Sequence, residues 1–242
     1  MVTKPHPVLL NRVKDGTTWE DILKFITAGY SISVDETGNH ILTGPKVVYG
    51  PTWIPEAFSQ PIIHPRMAIL HTNAGPVRTA WQSLWRYILR TDISLEMHFD
   101  VQMDGVIANL QPLNRRADCN YKANSFYISG DSTRYGAIAF ETQDNGYASL
   151  DFTPWSVEQS RSIINALTCL SVCYGILCTA PPSWNDSGIG HHVLFPNDWT
   201  NVAGKTCPGK ARIRQMDYIR SEVANNLAGF INATGWKCGS RG

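Results

Sequence analysis

The sequence predicts an α/β fold, and three observations predict it. Short apolar runs end in polar residues, as buried strands do. A strand with period-two alternation closes into a hairpin at Asp104-Gly105. Two long stretches carry apolar residues at helical spacing. The 242 residues suit one large domain or one domain with an appendage. Only 17% are charged, and 21 basic residues face 20 acidic ones. A net charge of +1 argues against a nucleic-acid binder driven by bulk charge and against an acidic disordered chain. No apolar run approaches the ~20 residues of a membrane span, so no membrane insertion is expected. The N-terminus shows no sustained apolar region with a small-residue cleavage site, so no secretory signal is expected either.

In order along the chain, Thr17 to Ile26 reads as a short capped helix. Tyr30 to Val34 alternates as a strand, Asp35 to His40 is turn-like, and Ile41-Leu42 and Val47 to Tyr49 suit short strands. Pro55 to Pro65 is a proline-studded connector. Residues 1–61 are therefore read as an N-terminal extension or small subdomain of unassigned function. Arg66 to His71 is a buried strand, and Pro76 to Arg90 an amphipathic helix with Trp81, Leu84, Trp85 and Ile88 on one stripe. Leu95 to Val101 reads as a half-buried strand with His98 and Asp100 facing outward, paired with Val106 to Ala108. Tyr135 to Thr142 is a further strand. Thr153-Pro154 looks like the N-cap and first turn of a long helix whose apolar face runs from Ile163 to Leu177. A last helix spans about 211–230, and residues 232–242 form a polar tail.

Three clusters carry candidate chemistry. His71 sits at a strand end in HTNAG, His191 and His192 follow GIG, and Cys207 sits in KTCPG at a turn that opens a helix. Two imidazoles and a thiolate are a good ligand set for Zn²⁺, and three protein ligands leave the fourth tetrahedral position open. The spacing between clusters does not prove a site. His71 also suits a polar strand cap, and Cys207 a buried thiol. Six cysteines at 119, 169, 173, 178, 207 and 238 include no CxxC pair, so reduced thiols are the default; Cys169, Cys173 and Cys178 fall at core helical spacing. Lys210, Arg212 and Arg214 read as a solvated helix face, and His98 as structural.

The order of these pieces is similar to that in the zinc-dependent N-acetylmuramoyl-L-alanine amidases of the type 2 amidase and peptidoglycan recognition protein family, with the phage and actinobacterial lysins the nearest in pattern. The matching pieces are ILHTNAG, MHFDVQMDGVI, YGAIAFETQDNG, TPWSVEQ, GIGHH and KTCPG, between about Ile62 and Phe230. The resemblance implies a mixed central sheet flanked by helices, with a zinc cleft at strand ends, in a catalytic domain at 62–231. It implies Zn²⁺ held by His71, Cys207 and one of the adjacent histidines. Some relatives with adjacent histidines use the first, but the GIG-x-H spacing of the lysins favours His192 over His191, and only one of the two can face the metal from a strand. It assigns Glu141 as general acid and base and Lys205 as the oxyanion's partner, although both residue types also occur as ordinary surface groups. The position held by a catalytic tyrosine in some relatives is Met97 here, and a loop histidine of others is absent, leaving any contact of its kind to Asn120. The implied substrate is bacterial peptidoglycan, cut between N-acetylmuramic acid and L-alanine by a monomer made in the host cytoplasm and acting on the wall after release. The rival readings are a non-catalytic peptidoglycan-binding module and an intracellular amidase that recycles muropeptides.

Overall fold

The computed structural model describes residues 29–50, 53, 59–73, 79–90, 97–144, 153–201 and 203–234. The helix expected at Thr17 to Ile26 lies outside them, as do residues 74–78, 95–96, Trp236 and Cys238.

The strands are β1 (Ser31–Val34), β2 (His40–Thr43), β3 (Val47–Tyr49), β4 (His64–Leu70), β5 (Phe99–Val101), β6 (Ile107–Asn109), β7 (Phe126–Tyr127), β8 (Arg134–Thr142) and β9 (Gly188–His191). The helices are α1 (Trp81–Ile88), α2 (Val157–Tyr174), α3 (Lys210–Ile213) and α4 (Met216–Thr234), with a 3₁₀ turn at Tyr121–Asn124. Strands β1 and β2 form a small antiparallel ladder. The main sheet runs β3-β6-β5-β8-β4-β9, with β7 paired to the start of β8. It is mixed: β5, β8, β4 and β9 are mutually parallel, whereas β6 is antiparallel to β5. The expected α/β architecture is the observed one.

Parallel strands need cover on both faces, and their sequences show it. On β4, Ala68 and Leu70 join the core under α2 and α4, whereas Met67 and Ile69 pack on the opposite face with Trp199 and Phe126. On β8, Ile138 and Phe140 face the helices, and Ala137 and Ala139 face away. Two-sided burial corrects one expectation. The polar alternates His98 and Asp100 on the β5 segment are fully buried, because loops and α1 cover the face that the alternation pattern assigned to solvent.

Residues 30–49 are built into this body. Tyr30, Ile32 and Leu42 belong to the helix-side core, and β3 is an edge strand of the main sheet against β6. Helix α2 starts later than Thr153-Pro154 suggested. Ser156 is the N-cap, its hydroxyl accepts from Gln159 N–H, and Gln159 answers in a capping box. Thr153 instead donates its hydroxyl to Asp144. The helix stops at Gly175, whose φ of 72° supplies the left-handed cap, so Leu177 lies beyond it and is 48% exposed. The last predicted helix is two, because the chain turns between Ile213 and Met216, and α4 runs on to Thr234.

Candidate metal centre

The four parallel strands end at one edge of the sheet, where α/β folds place their ligands. Residue parity then decides which side chains meet. His71 follows Met67 and Ile69 on the loop-covered face, and Glu141 follows Ala137 and Ala139 on the same face. His192 follows Gly190, which also lies against Trp199; a Cβ on Gly190 would fall 2.3 Å from that ring. His191 therefore points the other way, toward α4, where burial and, after it, the charge of Arg220 hold its pKa down at about 4. The backbone locks the two histidines side by side, since His192 N–H donates to Leu70 O and Leu70 pairs with His191.

The third member arrives from the loop before α3. Ligand atoms of His71, His192 and Cys207 lie within 4.8 Å of one another. The two imidazole centroids are 4.3 Å apart, and Cys207 Sγ accepts the Thr72 backbone N–H at 3.2 Å. Of the two adjacent histidines, His192 is the one in this cluster. His71 Nε2–H donates to Asn120 Oδ1 at 2.7 Å, a tautomer assignment that leaves Nδ1 free to ligate. The buried Nδ1 of His192 has no hydrogen-bond partner. Two imidazole nitrogens and a thiol, converging with their outer atoms engaged, fit Zn²⁺ by type and number.

Glu141 stands beside the cluster, with Oε1 3.7 Å from His71 Nδ1 and the buried Oε2 unpaired. Its pKa is pushed up to about 8, first by burial and then by Asp100, its registered neighbour on β5. Asp100 is itself raised to about 7 by burial, although Asn73 Nδ2 and Gln102 donate to it. Burial holds His71 well below the usual histidine range, and the His192 charge adds to that. His192 falls to about 4 through burial and the nearby Lys205. The Cys207 thiol is raised by burial and by Glu141, against the opposing pull of Lys205 and Arg212.

These residues form the floor of a cleft of about 930 Å³. Ser83, Leu84 and Tyr87 of α1 line one wall, Tyr121 and Asn124 another, and Thr200, Asn201, Gly204, Lys205 and Thr206 a third. Lys205 lines this cleft, as does Met97. Two residues play parts that their sequence context hid. Asn120 is fully buried, its Oδ1 accepts from His71 Nε2–H, and it is not among the residues that line the cleft. Arg212 is fully buried, which corrects the reading of Lys210, Arg212 and Arg214 as one solvated face. Helical geometry holds the signal, since residues two apart point ~200° apart; Lys210 and Arg214 are exposed, and Arg212 turns inward. His98, read as structural, is so: Nδ1 accepts from Ala139 N–H, and Nε2–H donates to Arg115 O.

No protein-family model and no curated protein matches the chain. Among solved structures it is similar to peptidoglycan amidases and endolysins. One is an endolysin, the N-acetylmuramoyl-L-alanine amidase LysCS from Clostridium intestinale URNW: 19% identity, 74% of this chain and 96% of that one, TM-score 0.47. The hydrolase AmiA of Staphylococcus aureus, in complex with its ligand, covers 80% and 87% at 13% identity, TM-score 0.49. A mutant endolysin from Bacillus subtilis covers 73% and 97% at 20% identity, TM-score 0.46.

Proposed function

We propose that this protein is a zinc-dependent N-acetylmuramoyl-L-alanine amidase, a phage-lysin-type peptidoglycan hydrolase. The observation that carries the reading is the convergence of His71, His192 and Cys207 in an open cleft, with Glu141 beside them and its Oε2 without a hydrogen-bond partner. The ordered motifs that resemble that family supply these same residues. Zinc bound by the three side chains would supply Lewis acidity toward the scissile carbonyl and toward water.

The protein's own groups do the rest. Glu141 takes the proton of the attacking water and delivers it to the departing L-alanine nitrogen. Its Oε2, without a hydrogen-bond partner, is free to take the proton. Lys205 places an ammonium at the cleft to offset charge that develops on the carbonyl oxygen. Asn120 fixes the ring of His71. The exposed Tyr87 and Tyr121 give the cleft walls on which a sugar or stem peptide can rest. One chain supplies every one of these groups, so a monomer suffices. Among the described residues no helix is long and apolar enough to cross a membrane, and the proposed site of action is the cell wall after release from the host cytoplasm.

Purified sacculi test the reading. Digestion should release new L-alanine amino termini, stop with chelator and return with Zn²⁺. Chelator-insensitive lysis, or the appearance of reducing sugar ends, would overturn it. Binding to sacculi without cleavage would point to the recognition-module alternative.

A further inference from the structure

We infer that Arg212 is a positioning residue for the metal centre, its guanidinium clamping together the strand ends that carry the candidate ligands. This rests on the zinc reading above. The side chain is fully buried, and all its nitrogens are engaged. Nη1 donates to Thr72 Oγ1 at 2.7 Å, and the backbone N–H of that same Thr72 donates to Cys207 Sγ. Nη1 also donates to Thr142 Oγ1 at 2.8 Å, and that hydroxyl in turn donates a hydrogen bond to the carbonyl of His71. Nη2 holds Gln143 O and the Asp144 carboxylate, and Nε holds Thr153 O ahead of α2.

One planar group thus ties the end of β4, the end of β8 and the approach to α2. It does so from a helix that begins three residues after Cys207. Two of its contacts lead, through one residue each, to candidate ligands. A salt bridge serving stability alone would need only Asp144. The contacts to Thr72 and Thr142 are what set the spacing of His71 against Cys207. A lysine has three donors at a point and no fork, so it cannot span these acceptors.

The test is zinc affinity of the full chain, measured by competition with a chromogenic chelator, with circular dichroism to show that each variant is folded. Arg212→Lys and Arg212→Gln should lower zinc affinity roughly 10–100-fold, the range for lost outer partners of metal ligands. Thr72→Val keeps the arginine and the backbone donor but removes the hydroxyl between them, and should lower affinity about threefold or more. A folded Arg212→Lys within twofold of the unsubstituted chain overturns the inference, because a staple acting on stability alone leaves the affinity of folded molecules unchanged. Should neither arginine variant fold, Thr72→Val decides on the same twofold criterion. If the unsubstituted chain itself binds no zinc, the metal reading falls and this inference falls with it.

Discussion

Two buried polar clusters lie side by side at the strand ends, and they differ in one respect. Around Arg212 the polar contacts close on one another: the guanidinium has its acceptors, Thr142 Oγ1 accepts from Arg212 and Trp155 and donates to His71 O, and Asp144 accepts from Thr153. Around His71 the contacts stay open: Glu141 Oε2 and His192 Nδ1, both on cleft-lining residues, are buried without partners. Leaving a buried polar atom unpaired costs roughly 1–3 kcal/mol, so a cluster of them beside a cleft marks where a ligand belongs. Two histidines repeat the contrast. His98 has both ring nitrogens satisfied by backbone, whereas His71 keeps one nitrogen toward the cleft.

Substitutions can break this comparison, and the largest effect falls on the open cluster. Cys207→Ala should reduce hydrolysis of sacculi to the level seen with chelator, and metal analysis should find the purified variant depleted of zinc. Glu141→Gln should retain zinc but lose roughly 10²–10⁴ in kcat, the usual share of a positioned acid–base group. In the closed cluster, Asp144→Ala strands the Arg212 charge and should cost about 3–5 kcal/mol in urea unfolding, the range for breaking a buried pair. Asn120→Ala should lower zinc affinity by roughly 10–100-fold while changing unfolding less than Asp144→Ala does.

The smallest effect at neutral pH concerns His98. Burial depresses its pKa from 6.5 to about 4, against the opposing bond to Arg115 O. The unfolded chain therefore binds a proton between about pH 6.5 and 4 that the native chain refuses. The stability that goes with the neutral imidazole is present above 6.5 and is lost as pH falls through that window, at up to ~1.4 kcal/mol per unit. His98→Gln should flatten the acid limb of a stability–pH curve relative to the unsubstituted chain. An unchanged slope would mean that His98 protonates freely in the native state.

The sequence marked His71 because a strand end before a polar turn is visible in one dimension, and Cys207 because it sits at a turn that opens a helix, whereas Glu141 was marked by the family resemblance. It left His191 against His192 to be decided by a spacing, since parity matters only once the strand's two faces have different neighbours. Gly190 against Trp199 shows the physical origin of that choice: the ring covers the loop side, so His192 emerges on it and His191 on the helix side. His98 and Asp100 looked solvent-facing because alternation alone reports one buried face. The second face is covered by chain distant in sequence.

By itself, then, the sequence determined the α/β class, the strand-end position of the chemistry and the donor types, because periodicity and turn residues are local properties. The tertiary structure alone decided that Asn120 backs His71 and that Arg212 binds Thr72 and Thr142. Those outcomes depend on which buried polar groups find partners across separations of 49 residues and more, and no local pattern encodes that pairing.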